Sequence, residues 1–332
     1  MGPLRTALTV AVYLAACLHG EGQNFPSTHI SNGIVTADIY LPDPVKGSYR
    51  ATRFDWSGII RNLTYRGHTF FGQWYEVHDP LTHDAITGPV NIFDTPGPAT
   101  GYADARTGET FLRIGVGHVE KPVEAAYRET NLYKVVDGGK WVVDEKPGRI
   151  EFRQELPARN GYAYRYSKTI SLSAGEPVMI LSQEMTNTGS KPIDTTVFNH
   201  GFFQIDSTPA SPDLVWTFPF EPRTTGDFDG MAEIHGRQIL YSREIRPGER
   251  VLGVLQGYGQ TVADHAFSLE NRKTGAGVRV KGDRPVTKMT FWSRRMAYSP
   301  EASIHLHIAP GMTERWQTRY EFYVSAKKES GR

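Results

Sequence analysis

The feature that most restricts the fold is punctuation. Beyond about residue 29, short runs rich in Val, Ile, Thr, Tyr, Phe and Trp are broken by clusters of Gly, Pro, Asn and Asp. Branched and aromatic side chains fit a pleated, half-buried surface, and the clusters fit turns. The segment Gly33–Leu41 alternates as a strand does. Tyr49–Trp56 and Ile59–Tyr65 read as a hairpin around Ser57 and Gly58. Further strands are expected over Phe111–Val119, Asn131–Asp137, Lys140–Asp144 and Arg149–Glu155, then Tyr162–Leu172, Val178–Asn187 and Thr195–Ile205. The C-terminal half continues with Ile239–Ile245, Arg250–Tyr258, His265–Asn271 and Gly277–Lys281, then Thr287–Trp292, Ala302–Ile308 and Glu314–Val324. No segment sustains a helical period with caps. Many short strands at regular spacing imply an all-β sandwich or barrel.

No internal repeat points to a propeller, and no Pro/Ser-rich linker divides the chain. One domain is therefore expected over residues 29–326. Its least strand-like stretch is Glu76–Arg106, rich in Asp, His, Gly and Pro. Long loops on rigid sandwiches often carry binding groups. Lys and Arg total 37 against 36 Asp and Glu. That balance argues against nucleic acid as the main partner, since phosphate binding needs a basic surface. The 16 Tyr, 16 Phe and 6 Trp either fill a sandwich core or offer platforms for sugar rings.

Residues 1–17 read as an export signal. Arg5 supplies the positive region and Ala7–Ala16 the apolar run, which is too short to span a bilayer comfortably. Leu14-Ala15-Ala16-Cys17 resembles a bacterial lipobox, and Cys17 is the only cysteine, so an internal disulfide is impossible. The expectation is an exported, periplasmic or cell-envelope protein, tethered by residues 18–28 and touching membrane only through a lipid on Cys17. An ordinary cleaved signal with an incidental cysteine is the alternative.

Two clusters carry candidate acid/base chemistry. In Phe198-Asn199-His200-Gly201-Phe202-Phe203-Gln204-Ile205-Asp206, His200 can give a proton to a ring oxygen, or it is a buried histidine held by a backbone group. Asn199 and Asp206 are its candidate sugar-binding neighbours. In the stretch from Phe291 to Glu301, Glu301 follows a proline and could act as a general base, or be a solvated turn residue. Trp292 could stack a sugar and Arg295 could grip its hydroxyls.

A third cluster, His78-Asp79-Pro80-Leu81-Thr82-His83-Asp84, offers His78, His83 and Asp84 to sugar hydroxyls. Its spacing matches no strong zinc signature, so no metal is expected. Gly226-Asp227-Phe228-Asp229-Gly230 is faintly calcium-loop-like but lacks the downstream glutamate, so it reads as a turn. No nucleotide-binding glycine motif and no serine elbow is present, and no cofactor is expected.

Three stretches then point the same way. Arg53-Phe-Asp-Trp-Ser-Gly-Ile-Ile-Arg-Asn-Leu-Thr-Tyr-Arg-Gly-His68 resembles the early hairpin of the galactose mutarotase-like (aldose 1-epimerase) superfamily. Asn199-His200-Gly-Phe-Phe-Gln-Ile205 is similar to its Asn-His-x-Tyr-Phe-Asn-Leu stretch. Tyr298-Ser-Pro-Glu301, with Pro310-Gly311 and Trp316 to Phe322, resembles its C-terminal glutamate, turn and final strand. The resemblance spans about residues 30–325. It implies a large antiparallel β-supersandwich that takes a mono- or oligosaccharide in a groove on one face. It also implies that Glu301 takes the proton of the anomeric hydroxyl while His200 protonates the ring oxygen, the two facing each other across a sugar ring. His83 is the candidate for the family's further site histidine. A lyase-like or other glycan-processing enzyme, with His83, Tyr and Arg side chains at work, and a non-catalytic carbohydrate-binding protein remain as alternatives.

Overall fold

The computed structural model describes residues 25–325. The signal segment and Cys17 lie outside the described residues. Extended chain begins at Ser27, inside the expected tether: Ser27–Ser31 pairs antiparallel with Val35–Tyr40. Among the described residues there is no α-helix, only strands and three short 3-10 turns. The expected all-β, antiparallel supersandwich is what forms, and every strand pair is antiparallel.

Two sheets make the sandwich. The larger has ten strands, with Thr313–Val324 near its centre between Ala276–Gly282 and Val178–Asn187. The smaller has six, in the order Arg223–Thr224, Val251–Gln256, Lys288–Ser293, Tyr298–Ile308, Ile193–His200 and Val90–Phe93. Alternation at the C-terminal end of the strands places them between solvent and core. Along Tyr298–Ile308, Ala302, Ile304, Leu306 and Ile308 are buried while His305 and His307 are exposed. The inner faces meet in a core that includes Trp216, Phe203, Phe291, Tyr298 and Tyr320. Each such fully buried aromatic contributes roughly 1.5–3 kcal/mol of transfer free energy, an upper estimate.

A third layer positions the site. At one end, the outer face of the six-stranded sheet is covered by loops rather than left to water. Tyr49, Phe54, Trp56 and Tyr133 from these loops, with Phe111 of the short strand Thr110–Arg113, bury Phe198 and Phe202. The expected strand Tyr49–Trp56 is part of this cap, not a strand, because its backbone N–H groups go to separate segments instead of one ladder: Arg50 and Ala51 donate to the Pro80 carbonyl, Asp55 to that of Asn91 and Trp56 to that of Gly115. Asp55 anchors the cap to the large sheet. It meets Lys168 at 3.4 Å with both side chains fully buried, and Tyr166 Oη donates to it at 2.9 Å. Burial pushes the Lys168 ammonium below its ordinary range, against the pull of Asp55.

Candidate active site

Strand register brings His200 and Glu301 together. Val197 pairs with Ile304, and Phe203 bridges to Tyr298 in the same register. His200 and Glu301 lie between these pairs, directly across from each other on the outer face. Their side chains touch, with His200 Nε2 at 3.3 Å from Glu301 Oε1. A carboxylate only accepts, so a proton on Nε2 is the one that this contact could share with Glu301. His200 Nδ1 is buried without a hydrogen-bond partner among the described residues. The expectation of a sugar ring lying between the two groups is not met: they are in direct contact, because neighbouring antiparallel strands hold opposed side chains only this far apart.

An aromatic box surrounds the pair. Phe202 lies flat on His200, with ring centroids 3.7 Å apart and planes 6° from parallel. The Trp292 edge approaches the imidazole at 4.9 Å, and Phe54 at 6.0 Å. Trp74 stacks on Phe202 at 5.5 Å and meets Trp292 at 5.8 Å, its Nε1 donating to the Ile86 carbonyl. His200 is 3% exposed and Glu301 15%, so the carboxylate is the side of the pair that solvent reaches.

The backbone after His200 is unusual. Gly201 passes so close to Phe203 that a Cβ would sit 2.3 Å from its ring, which explains why only glycine stands there. Phe202 has φ 41°, a left-handed conformation that bulky residues avoid at a cost on the order of 1–3 kcal/mol. That conformation turns its ring back onto His200, while Phe203 drops into the core.

Beside the pair stands Arg53. Its Nη1 pairs with Asp84, its Nη2 with Glu129 Oε1 at 2.9 Å, and its guanidinium lies 5.0 Å from the Phe54 ring centre. Burial opposes its charge, but Asp84 and Glu129, with smaller help from Tyr49 and Glu301, hold it above its ordinary range. His83 Nε2 sits 3.4 Å from Asp84 at the rim.

The residues proposed from sequence thus divide. His200, Glu301 and Trp292 form the centre, and Asp84 and His83 join it through Arg53. Asn199 faces the other way, as strand alternation demands. It donates to Asn91 at 2.9 Å and accepts from Tyr320 in the core. Asp206 is turned to His68, at 3.0 Å, and Arg295 to Glu244, at 2.8 Å. His78 lies elsewhere, its Nε2 donating to the Ser48 carbonyl at 2.8 Å. Among the described residues, no group of three or more His, Cys, Asp or Glu is placed to hold a metal ion. Sequence reasoning missed Arg53, Glu129, Trp74 and Phe202. Only Arg53 and Phe202 carried a signal, since both lie in stretches that bear the family resemblance.

The architecture is the galactose mutarotase-like fold. Solved structures share it over nearly their whole length. The chain is similar to a protein of Synechocystis at 10% identity and TM-score 0.55, covering 91% of this chain and 97% of that one. It is similar to a putative aldose 1-epimerase of Escherichia coli at 12% identity and TM-score 0.53, covering 90% and 99%. A galactose mutarotase-like protein of Lactobacillus casei matches at 12% identity and TM-score 0.53, covering 90% and 100%. No family profile and no curated protein matches the chain. At these identities the likeness establishes the fold.

Proposed function

We propose that the protein is a carbohydrate-active enzyme of aldose 1-epimerase type, with Glu301 as base and His200 as acid. One observation carries the reading: the 3.3 Å pair of His200 Nε2 and Glu301 Oε1 inside an aromatic box. The anomeric hydroxyl oxygen and the ring oxygen of an aldose are bonded to the same carbon. An acid and a base already in contact can therefore reach both. With His200 entering as the imidazolium, Glu301 takes the hydroxyl proton, the anomeric carbon and its hydroxyl oxygen become a carbonyl as the bond to the ring oxygen breaks, and His200 gives its Nε2 proton to that oxygen and is left neutral. The open-chain aldehyde turns about its first carbon–carbon bond. The reverse transfers, from Glu301 to the carbonyl oxygen and from the chain hydroxyl to His200, close the other anomer. Trp292 and Trp74 offer ring faces to the sugar, and Arg53 with Asp84 offers charged partners for its hydroxyls.

Proton NMR of freshly dissolved α-anomers of several aldoses tests this. The protein is expected to accelerate equilibration for at least one of them, and Glu301→Gln to lower the acceleration by about 100- to 10,000-fold. No acceleration for any neutral hexose, pentose or uronic acid would sink the enzyme reading. A second reading, a carbohydrate-binding protein without catalysis, draws on the near-complete burial of His200. Binding without acceleration would select it.

The first seventeen residues extend the proposal: an exported protein held at the cell envelope by a lipid on Cys17. Cys17→Ala should move the protein from the membrane fraction to the soluble one, and unchanged membrane retention would refute the anchor.

A further inference from the structure

A separate groove of about 810 Å³ opens on the sheet formed by Val35–Tyr40 and Ile59–Tyr65. Its construction depends on a β-bulge. Asp38 pairs with Asn62 and Ile39 with Ile60, so Arg61 is an extra residue with no partner across the ladder. A bulge bends its strand and re-aims side chains. Here both Arg61 and its neighbour Asn62 line the groove, where an unbroken strand would send them to opposite faces.

Neither side chain is fully partnered by protein groups among the described residues. Arg61 forms no ion pair or side-chain hydrogen bond among the described residues, and no Asp or Glu lines the groove. Asn62 Oδ1 is buried and has no hydrogen-bond partner there. Opposite them stand rings: Tyr40, Tyr75 and His78, with Tyr75 and His78 5.4 Å apart. Gln73 and Gln204 add amides. The segment Gln73–Tyr75 divides this groove from the His200–Glu301 pair, since Trp74 stacks toward Phe202 while Tyr75 lines the groove.

Rings for stacking, amides for hydroxyls and one guanidinium that forms no ion pair, with Asp38 across from Asn62 beside the groove and not lining it, make one kind of ligand fit. We propose that this groove binds an anionic oligosaccharide, its carboxylate or sulfate held by Arg61, as a second site distinct from the acid/base pair. The site stands whether or not His200 and Glu301 catalyse. Arginine suits the role because its planar fork matches either anion.

Calorimetric titration of the full chain tests the assignment. The probes are a uronate tetramer, its neutral methyl ester, and a sulfated galactan tetramer free of uronate. At least one charged oligomer should bind about tenfold or more tighter than the ester, as a charge-assisted contact warrants, and added salt should erode the difference. Whether the uronate or the sulfated oligomer shows that preference identifies the anion. Arg61→Ala should abolish the preference, and Tyr75→Ala should weaken charged and neutral oligomers alike. Glu301→Gln should leave this binding unchanged. Arg61 is exposed, so unaltered thermal unfolding of Arg61→Ala checks that its fold is intact. Equal binding of charged and neutral oligomers, full binding by Arg61→Ala, or loss of binding in Glu301→Gln would each overturn the second site.

Discussion

Phe202 and Gly201 show how much local distortion the His200–Glu301 pair requires. The pair itself follows from register, but the ring that covers His200 depends on a left-handed phenylalanine. The turn that allows it depends on a glycine with no room for a side chain. Gly201→Ala should therefore destabilise the fold by about 1–3 kcal/mol, the usual range for overpacking, read as a lower denaturant midpoint. An unchanged midpoint would show that the Phe203 ring moves aside freely. At this scale His200 and Glu301 were legible in sequence, because each sits in a distinctive short stretch. Asn199 was misplaced for a reason the sequence already contained: adjacent residues of a strand face opposite sides, so it could not share a site with His200. Asp206 and Arg295 were misplaced because nothing in the sequence shows that His68 and Glu244 fold against them.

Among the elements, the long strands with one buried face were readable. Tyr162–Leu172 and Val178–Asn187 fall where their alternation puts them. Val90–Phe93 and Leu214–Thr217 were not readable, since both are buried on nearly every side and show no alternation. The cap was missed because its aromatic run Tyr49–Trp56 mimics a strand. Two buried histidines hold elements to their neighbours. His118, on Gly117–Glu120, bonds the Pro157 carbonyl at 2.9 Å, and His265, just before Ala266–Asn271, bonds the Arg284 carbonyl at 2.8 Å. Burial lowers both from an ordinary pKa of 6.5. The unfolded chain therefore binds protons more readily between 6.5 and the lower folded values, and stability falls as pH drops through that window. Above 6.5 their contribution is complete. The thermal midpoint should decline between about pH 7 and pH 5, and decline less in a His118→Gln/His265→Gln double variant. Equal declines would place the acid sensitivity elsewhere.

At the scale of the molecule, two sheets make the core and a loop layer makes the site. The first was legible in punctuation and alternation. The second was not, because loops declare their partners only in three dimensions. The cap buries His200, leaves Glu301 the more open of the two, and is pinned to the large sheet through Asp55 and Lys168. The proposed reaction requires this covered pair to work on the anomeric centre of a sugar. A crystal structure with an accepted aldose bound tests it most directly. The ring oxygen should lie within hydrogen-bond reach of His200 Nε2, the anomeric hydroxyl on the Glu301 carboxylate, and the sugar against Trp292. A sugar seated elsewhere, with the His200–Glu301 contact intact and the anomeric carbon out of reach of both, would contradict it.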